Sequence, residues 1–288
     1  MSRNTHIALS VAAAGVLSAA LAQNNSSIIG QWTLGASLVQ DKVQLTISRT
    51  TANHNMNSSS PIAISELHGL TQAQLSSAGL NVRFEIARDA GTLRFEGFVR
   101  NGGGGGTFAF SLNPNYPKEM AALGYSDVND EQVFTMAVHD VSLAYVRDLS
   151  ALGVRPESSG QLITMRIHNV TPEYVRDFQT IGYTGLTSDK LVTMRIHRVT
   201  ADFARELKSM GYNSVSSEQM VTMQIHGAST DFIKEVVSLG YSHPEIEQLV
   251  TMRIHAVTPE FIRKTRSLGL GNLPIDQLVS LKIHGIVE

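Results

Sequence analysis

Histidine stands at positions 139, 168, 197, 226, 255 and 284, each 29 residues after the last. Six evenly spaced imidazoles raise the chemistry of metal binding first, since neutral imidazole is a common metal ligand. Geometry argues against it. Equivalent side chains on neighbouring packed helices lie about 10 Å apart, whereas metal–nitrogen bonds are about 2 Å. Strands stacked about 4.8 Å apart would still lack a convergent ligand set. The histidines are instead expected to cap carbonyls at the ends of their segments and to bridge to the next unit. No metal and no cofactor is expected.

The period belongs to more than histidine. Thr-Met-Arg-Ile-His recurs at residues 164–168, 193–197 and 251–255, with variants ending at His139, His226 and His284. Gly124, Gly153, Gly182, Gly211, Gly240 and Gly269 keep the same step, as do Tyr116, Tyr145, Tyr174, Phe203, Phe232 and Phe261. A fixed period in the range of about 20–50 residues marks a stacked repeat array. Phased on Asn113, Ser142, Thr171, Thr200, Ser229 and Thr258, every unit opens on a residue suited to cap a helix N-terminus. Tyr174, Phe178 and Ile181 then follow at helical spacing, and the periodic glycine supplies a left-handed stop.

The second half of each unit reads two ways. Asn129 with Gln132, Ser158 with Gln161 and Ser216 with Gln219 fit a capping box, and Pro274 suits a helix start. Against this, Val192-Thr-Met-Arg-Ile-His197 alternates apolar and polar, and on a helical wheel Arg195 falls inside the apolar arc. The expected fold class is therefore α+β and multidomain. A small antiparallel β-rich domain (residues 23–112) precedes a six-repeat α–α solenoid (residues 113–288). The alternative for the repeats is a strand–helix horseshoe of leucine-rich-repeat type.

In the N-terminal part, Val43-Gln-Leu-Thr-Ile47 and Val82-Arg-Phe-Glu-Ile86 alternate with the strand period. The second of these, residues 92–99 and residues 107–111 predict a three-strand antiparallel meander. The polar run of residues 53–60 predicts a loop, and residues 65–75 a short helix. Gly102 to Gly106 lack the Lys-Ser/Thr of a phosphate loop and predict a flexible hairpin tip. Trp32 is a candidate ligand platform, with core or sheet cover as its plainer reading.

The N-terminus predicts an export signal over residues 1–22: Arg3, an apolar stretch from Ile7 to Leu21, and Ala20-Leu-Ala22 ahead of a polar run. No stable membrane insertion is expected after cleavage, and the location expected is periplasmic or secreted. Cysteine is absent, which excludes disulfides, thiolate metal sites and cysteine nucleophiles. A net charge of −2 gives no overall basic footprint for nucleic acid. Neither a His-Glu-x-x-His pair, a Gly-x-Ser-x-Gly elbow nor a Ser-x-x-Lys pattern occurs, so no catalytic set is assigned.

A basic ladder runs Lys118, Arg147, Arg176, Arg205, Lys234 and Arg263, with acidic neighbours such as Asp177 and Glu206. It reads first as a solvated, salt-bridged helix face. The other reading is a docking strip for an acidic partner, strengthened by Arg166, Arg195 and Arg253. The candidate partner-binding residues are thus Arg166, Arg195, Arg253, Arg147, Arg176, Arg205 and Trp32.

The run from Val170, Val-Thr-Pro-Glu-Tyr-Val-Arg-Asp-Phe-Gln-Thr-Ile-Gly-Tyr, with Leu-Val-Thr-Met-Arg-Ile-His-Arg-Val-Thr after it, resembles extracytoplasmic repeats of bacterial β-lactam-sensor zinc metallopeptidase sensor-transducers. Residues 30–50 and 82–110 are similar to the segment that precedes those repeats. The resemblance implies an accessory extracytoplasmic portion without the membrane peptidase. Peptidase activity and β-lactam acylation do not carry over, because their motifs are missing. The function expected is a non-enzymatic exported scaffold for a protein or peptide partner in the envelope. The alternatives are a small-ligand or glycan-binding protein with its site in the β domain, and a hydrolase with an unrecognised site.

Overall fold

A computed structural model describes residues 28–51 and 55–287. The expected export signal and residues 53–54 of the expected polar loop lie outside the described residues. Two compact units emerge: residues 28–85 with 93–111, and residues 86–92 with 112–287.

The first unit is an antiparallel sheet of six strands: β1 (Ile28–Ala36), β2 (Lys42–Thr50), β3 (Asn55–Ala63), β4 (Leu80–Arg88), β5 (Gly91–Arg100) and β6 (Gly103–Leu112), in the order β3-β2-β1-β6-β5-β4. The expected meander β4-β5-β6 is half of it; a second meander, β1-β2-β3, joins through β1 against β6. The expected loop is largely edge strand β3. Its polar residues pair across to β2, where Gln44 Nε2 donates to Ser59 Oγ at 2.8 Å and Ser48 Oγ donates to Asn57 Oδ1 at 3.2 Å. Turn-forming composition yields here to a cross-strand polar ladder on a solvated face. The expected short helix resolves into a 3-10 turn at Ile64–Glu66 and α1 (Gln72–Leu75), capped by Thr71.

The glycine run is not a flexible tip. The turn is Asn101-Gly102, both at positive φ, and Gly104 and Gly106 lie inside β6 opposite Leu34 and Trp32. A Cβ on Gly106 would stand 2.0 Å from the Glu96 carbonyl oxygen, and one on Gly97 would stand 2.2 Å from that of Gly105. Absent side chains let β5 and β6 approach while aromatic rings fill the core above them. Trp32 packs edge-on to Phe84 at 5.1 Å, and Phe84 stacks on Phe95 at 4.7 Å.

The second unit carries two helices per repeat, not a strand and a helix. The first-position helices are α2 (Tyr116–Ala122), α4 (Leu143–Ala151), α6 (Pro172–Thr180), α8 (Ala201–Ser209), α10 (Thr230–Ser238) and α12 (Pro259–Ser267). The second-position helices are α3 (Asp130–Val138), α5 (Ser159–Ile167), α7 (Ser188–Ile196), α9 (Ser217–His226), α11 (Ile246–Ile254) and α13 (Ile275–Ile283). From α4 onward, each first-position helix packs on its equivalent in the next repeat; each second-position helix from α3 does likewise. Ser142, Thr171, Thr200, Ser229 and Thr258 cap their helices as expected. The first repeat departs from the pattern. Asn113 accepts from Asn115 N and donates to the Asp89 carbonyl, and α2 starts two residues beyond it.

Bonds one repeat long tie the units together. The Tyr145 and Tyr174 hydroxyls each donate at 2.8 Å to the carbonyls of Val170 and Val199, 25 residues on. Burial holds both phenols protonated well above their ordinary range. Tyr183, Tyr212 and Tyr241 donate 32 residues on, to Val215, Pro244 and Leu273. Gln179 closes the end of α4 by donating to the Leu152 carbonyl at 2.7 Å, and Lys208 does the same for Ile181 on α6. Each bond satisfies a helix-end or loop carbonyl that packing would otherwise strand from water.

Candidate functional site

The residues singled out in the sequence fall into three places. Arg166, Arg195 and Arg253 sit in the last turn of α5, α7 and α11 and fold back onto the array. Arg195 Nε donates to the Asn169 carbonyl at 2.7 Å, and its guanidinium lies 4.3 Å from the centre of the Tyr174 ring. Arg166 donates to the His139 carbonyl at 3.0 Å, pairs with Asp140 at 3.0 Å and covers Tyr145. Arg253 reaches the His226 carbonyl at 3.4 Å and covers Phe232. This explains a charge inside an apolar arc: the stem packs and the planar head lies on an aromatic face.

Arg147, Arg176 and Arg205 lie exposed on α4, α6 and α8. Arg176 pairs with Glu173 at 3.9 Å, Arg205 pairs with Asp202, and Arg263 on α12 pairs with Glu260 at 3.2 Å, all three residues apart. That face is solvated and internally neutralised. Trp32 is 1% exposed and its indole N–H donates to the Glu96 carbonyl at 3.1 Å, so neither ring face is open to a ligand. On the opposite side of the sheet, Gln31, Thr33, Ser48 and Thr107 rim a shallow hollow of about 390 Å³ over Gly105.

The histidines follow the last turn of each second-position helix. His284 Nδ1 lies 2.8 Å from the Ser280 carbonyl oxygen. Burial, aided by Arg166, pushes His139 below the ordinary histidine range. Among the described residues, no three His, Asp or Glu side chains gather as metal ligands.

Three further rows on the second-position helices escaped the sequence reading. Each helix buries positions such as Ser188, Leu191 and Met194, three residues apart. The other side bears a carboxylate in the first turn: Glu131, Asp189, Glu218, Glu247 and Asp276, with Gly160 in the second repeat. One turn on comes threonine or serine; Thr164, Thr222 and Thr251 each donate to the carbonyl four residues back. Seven residues after the acid comes isoleucine: Ile167, Ile196, Ile225, Ile254 and Ile283, exposed to 52, 51, 53, 51 and 56%. Positions seven apart share one helix face, so acid, hydroxyl and isoleucine run as parallel rows.

The chain matches no family model, no curated protein and no solved structure.

The acidic row is tied along its length. Lys190 Nζ lies 2.8 Å from Glu218, Gln219 Nε2 donates to Glu247 at 2.7 Å, and Gln161 Nε2 lies 3.5 Å from Asp189. The Lys190 ammonium, helped by backbone and serine donors at the helix start, lowers the Glu218 carboxyl to about 2. Hydrogen bonding from Gln219 lowers Glu247 as well. These carboxylates are charged, exposed and fixed in a line. The signal for all three rows was the 29-residue period itself, but Ile196 and its equivalents look like core when read inside the alternating Val-Thr-Met-Arg-Ile run.

Proposed function

We propose that residues 113–288 form an α–α solenoid serving as a non-enzymatic scaffold for a protein or peptide partner, outside the cytoplasm. The repeat-to-repeat packing of like helices and the bonds recurring at 25, 27 and 32 residues support the stacking. One observation carries the binding reading: five isoleucines in equivalent places, each half open to water. A single exposed isoleucine needs no explanation, but a periodic row of them is the kind of apolar surface that partners cover. The isoleucine row carries this reading further than the arginine ladders, whose charges are engaged within the chain. The export pattern in residues 1–22 and the resemblance to sensor-transducer repeats support an envelope role. No helix among the described residues is long and apolar enough to cross a membrane.

The test is a photo-crosslinking amino acid placed at Ile196, Ile225 or Ile254, and at Arg176, Arg205 or Arg263 as the opposite face, in cells that produce the protein. A discrete protein adduct from the first set and none from the second is expected. Equal labelling from both sets, or no adduct from either, would overturn the reading.

A further inference from the structure

Resting on the scaffold reading, we infer that the second-position helix face takes an extended cationic segment: apolar at every third residue, with Lys or Arg between. Two observations fix the partner's chemistry. The first is pitch. Packed helices stand about 8–10 Å apart, so successive isoleucines repeat at that step. A polyproline-type strand advances about 3.1 Å per residue with three residues per turn, so every third side chain faces the same way after about 9 Å. Such a strand meets one isoleucine per turn without strain.

The second observation is charge. Parallel to the isoleucine row, a turn or two away, runs the line of Asp189, Glu218, Glu247 and Asp276. The cations nearest the isoleucines in sequence, Arg166, Arg195 and Arg253, hold backbone carbonyls and lie on aromatic rings. Lys190 lies in ion-pair contact with Glu218. The face therefore offers an apolar groove with one acidic bank, and a partner whose cations stand to one side of its apolar edge matches it. The acidic bank disfavours an anionic lipid surface on the same isoleucines.

The experiment uses the whole exported chain and fluorescein-labelled peptides, read by anisotropy at low and moderate salt. The probe is a Leu-Lys-Pro repeat with one leucine for each exposed isoleucine. Its controls are the same residues shuffled to break the three-residue step, a Leu-Glu-Pro repeat, and phosphatidylglycerol vesicles. The Leu-Lys-Pro probe is expected to bind about tenfold or more tighter than either peptide control, and more weakly as salt rises. Ile196→Ser with Ile225→Ser and Ile254→Ser removes apolar contact worth about tenfold or more. Glu218→Gln with Glu247→Gln should narrow the preference for lysine over glutamate. Circular dichroism confirms that the variants keep their helices; because the altered side chains are half exposed, they are expected to.

Equal binding of the shuffled or acidic peptide, or an unchanged affinity in the isoleucine variant, overturns the inference. So does isoleucine-dependent binding of the vesicles in place of the peptide. A crosslinked partner at Ile225 alongside a failed Leu-Lys-Pro probe removes only this peptide chemistry. Failure of both removes the scaffold reading too.

Discussion

The αL residues after each histidine show what individual side chains bear in this repeat. Asp140, Asn169, Arg198, Gly227, Ala256 and Gly285 all have φ between 50° and 70°. The N–H one residue further on donates back to a methionine or leucine carbonyl, as Val170 does to Met165 at 2.8 Å and Val257 does to Met252 at 2.8 Å. This is the left-handed close that the first-position helices achieve with glycine. A Cβ in that region costs about 1–2 kcal/mol, so Ala256→Gly is expected to stabilise the protein by about 1 kcal/mol. Equilibrium urea unfolding checks it; a destabilised Ala256→Gly would contradict the account. Glycine made the first-position stops legible in the sequence. Arginine or alanine at the second-position stops concealed them, because only the backbone angle reveals the turn.

At the scale of elements, local chemistry decided how much could be read in advance. The first-position helices declared themselves through Ser or Thr caps, aromatic spacing and terminal glycine, all short-range signals. The second-position helices did not, because Val192-Thr-Met-Arg-Ile-His197 satisfies a strand alternation as well as a helix. Burial of Leu191 and Met194 against neighbouring repeats settles the choice, and that contact is not local. The isoleucine row was illegible for the same reason: which apolar residues become core depends on where the next helix sits. Strand β6 makes the point from the other side. Its glycines read as a linker until β1 and β5 are laid beside them. Gly106→Ala, with its Cβ driven into the Glu96 carbonyl, is expected to cost about 3 kcal/mol or more. Gly35→Ala, where nothing lies within 4 Å, is expected to be tolerated. Thermal melts of the two variants followed in the near ultraviolet separate them; a Gly106→Ala protein as stable as Gly35→Ala would refute the close-approach argument.

For the whole molecule, the account rests on equivalent helices advancing by one packing distance per repeat, so that their isoleucines form a line. The cysteine-free chain allows this to be measured directly, since paired cysteines for spin labels need no background removed. Electron–electron distances would be recorded for labels at positions 167 and 225, 167 and 254, and 167 and 283. Successive pairs are predicted to lengthen by a constant step of about 8–10 Å, reduced only by gentle curvature. Distances that fail to rise with repeat number, or that rise and fall again, would contradict the stacked array and with it the continuous binding face.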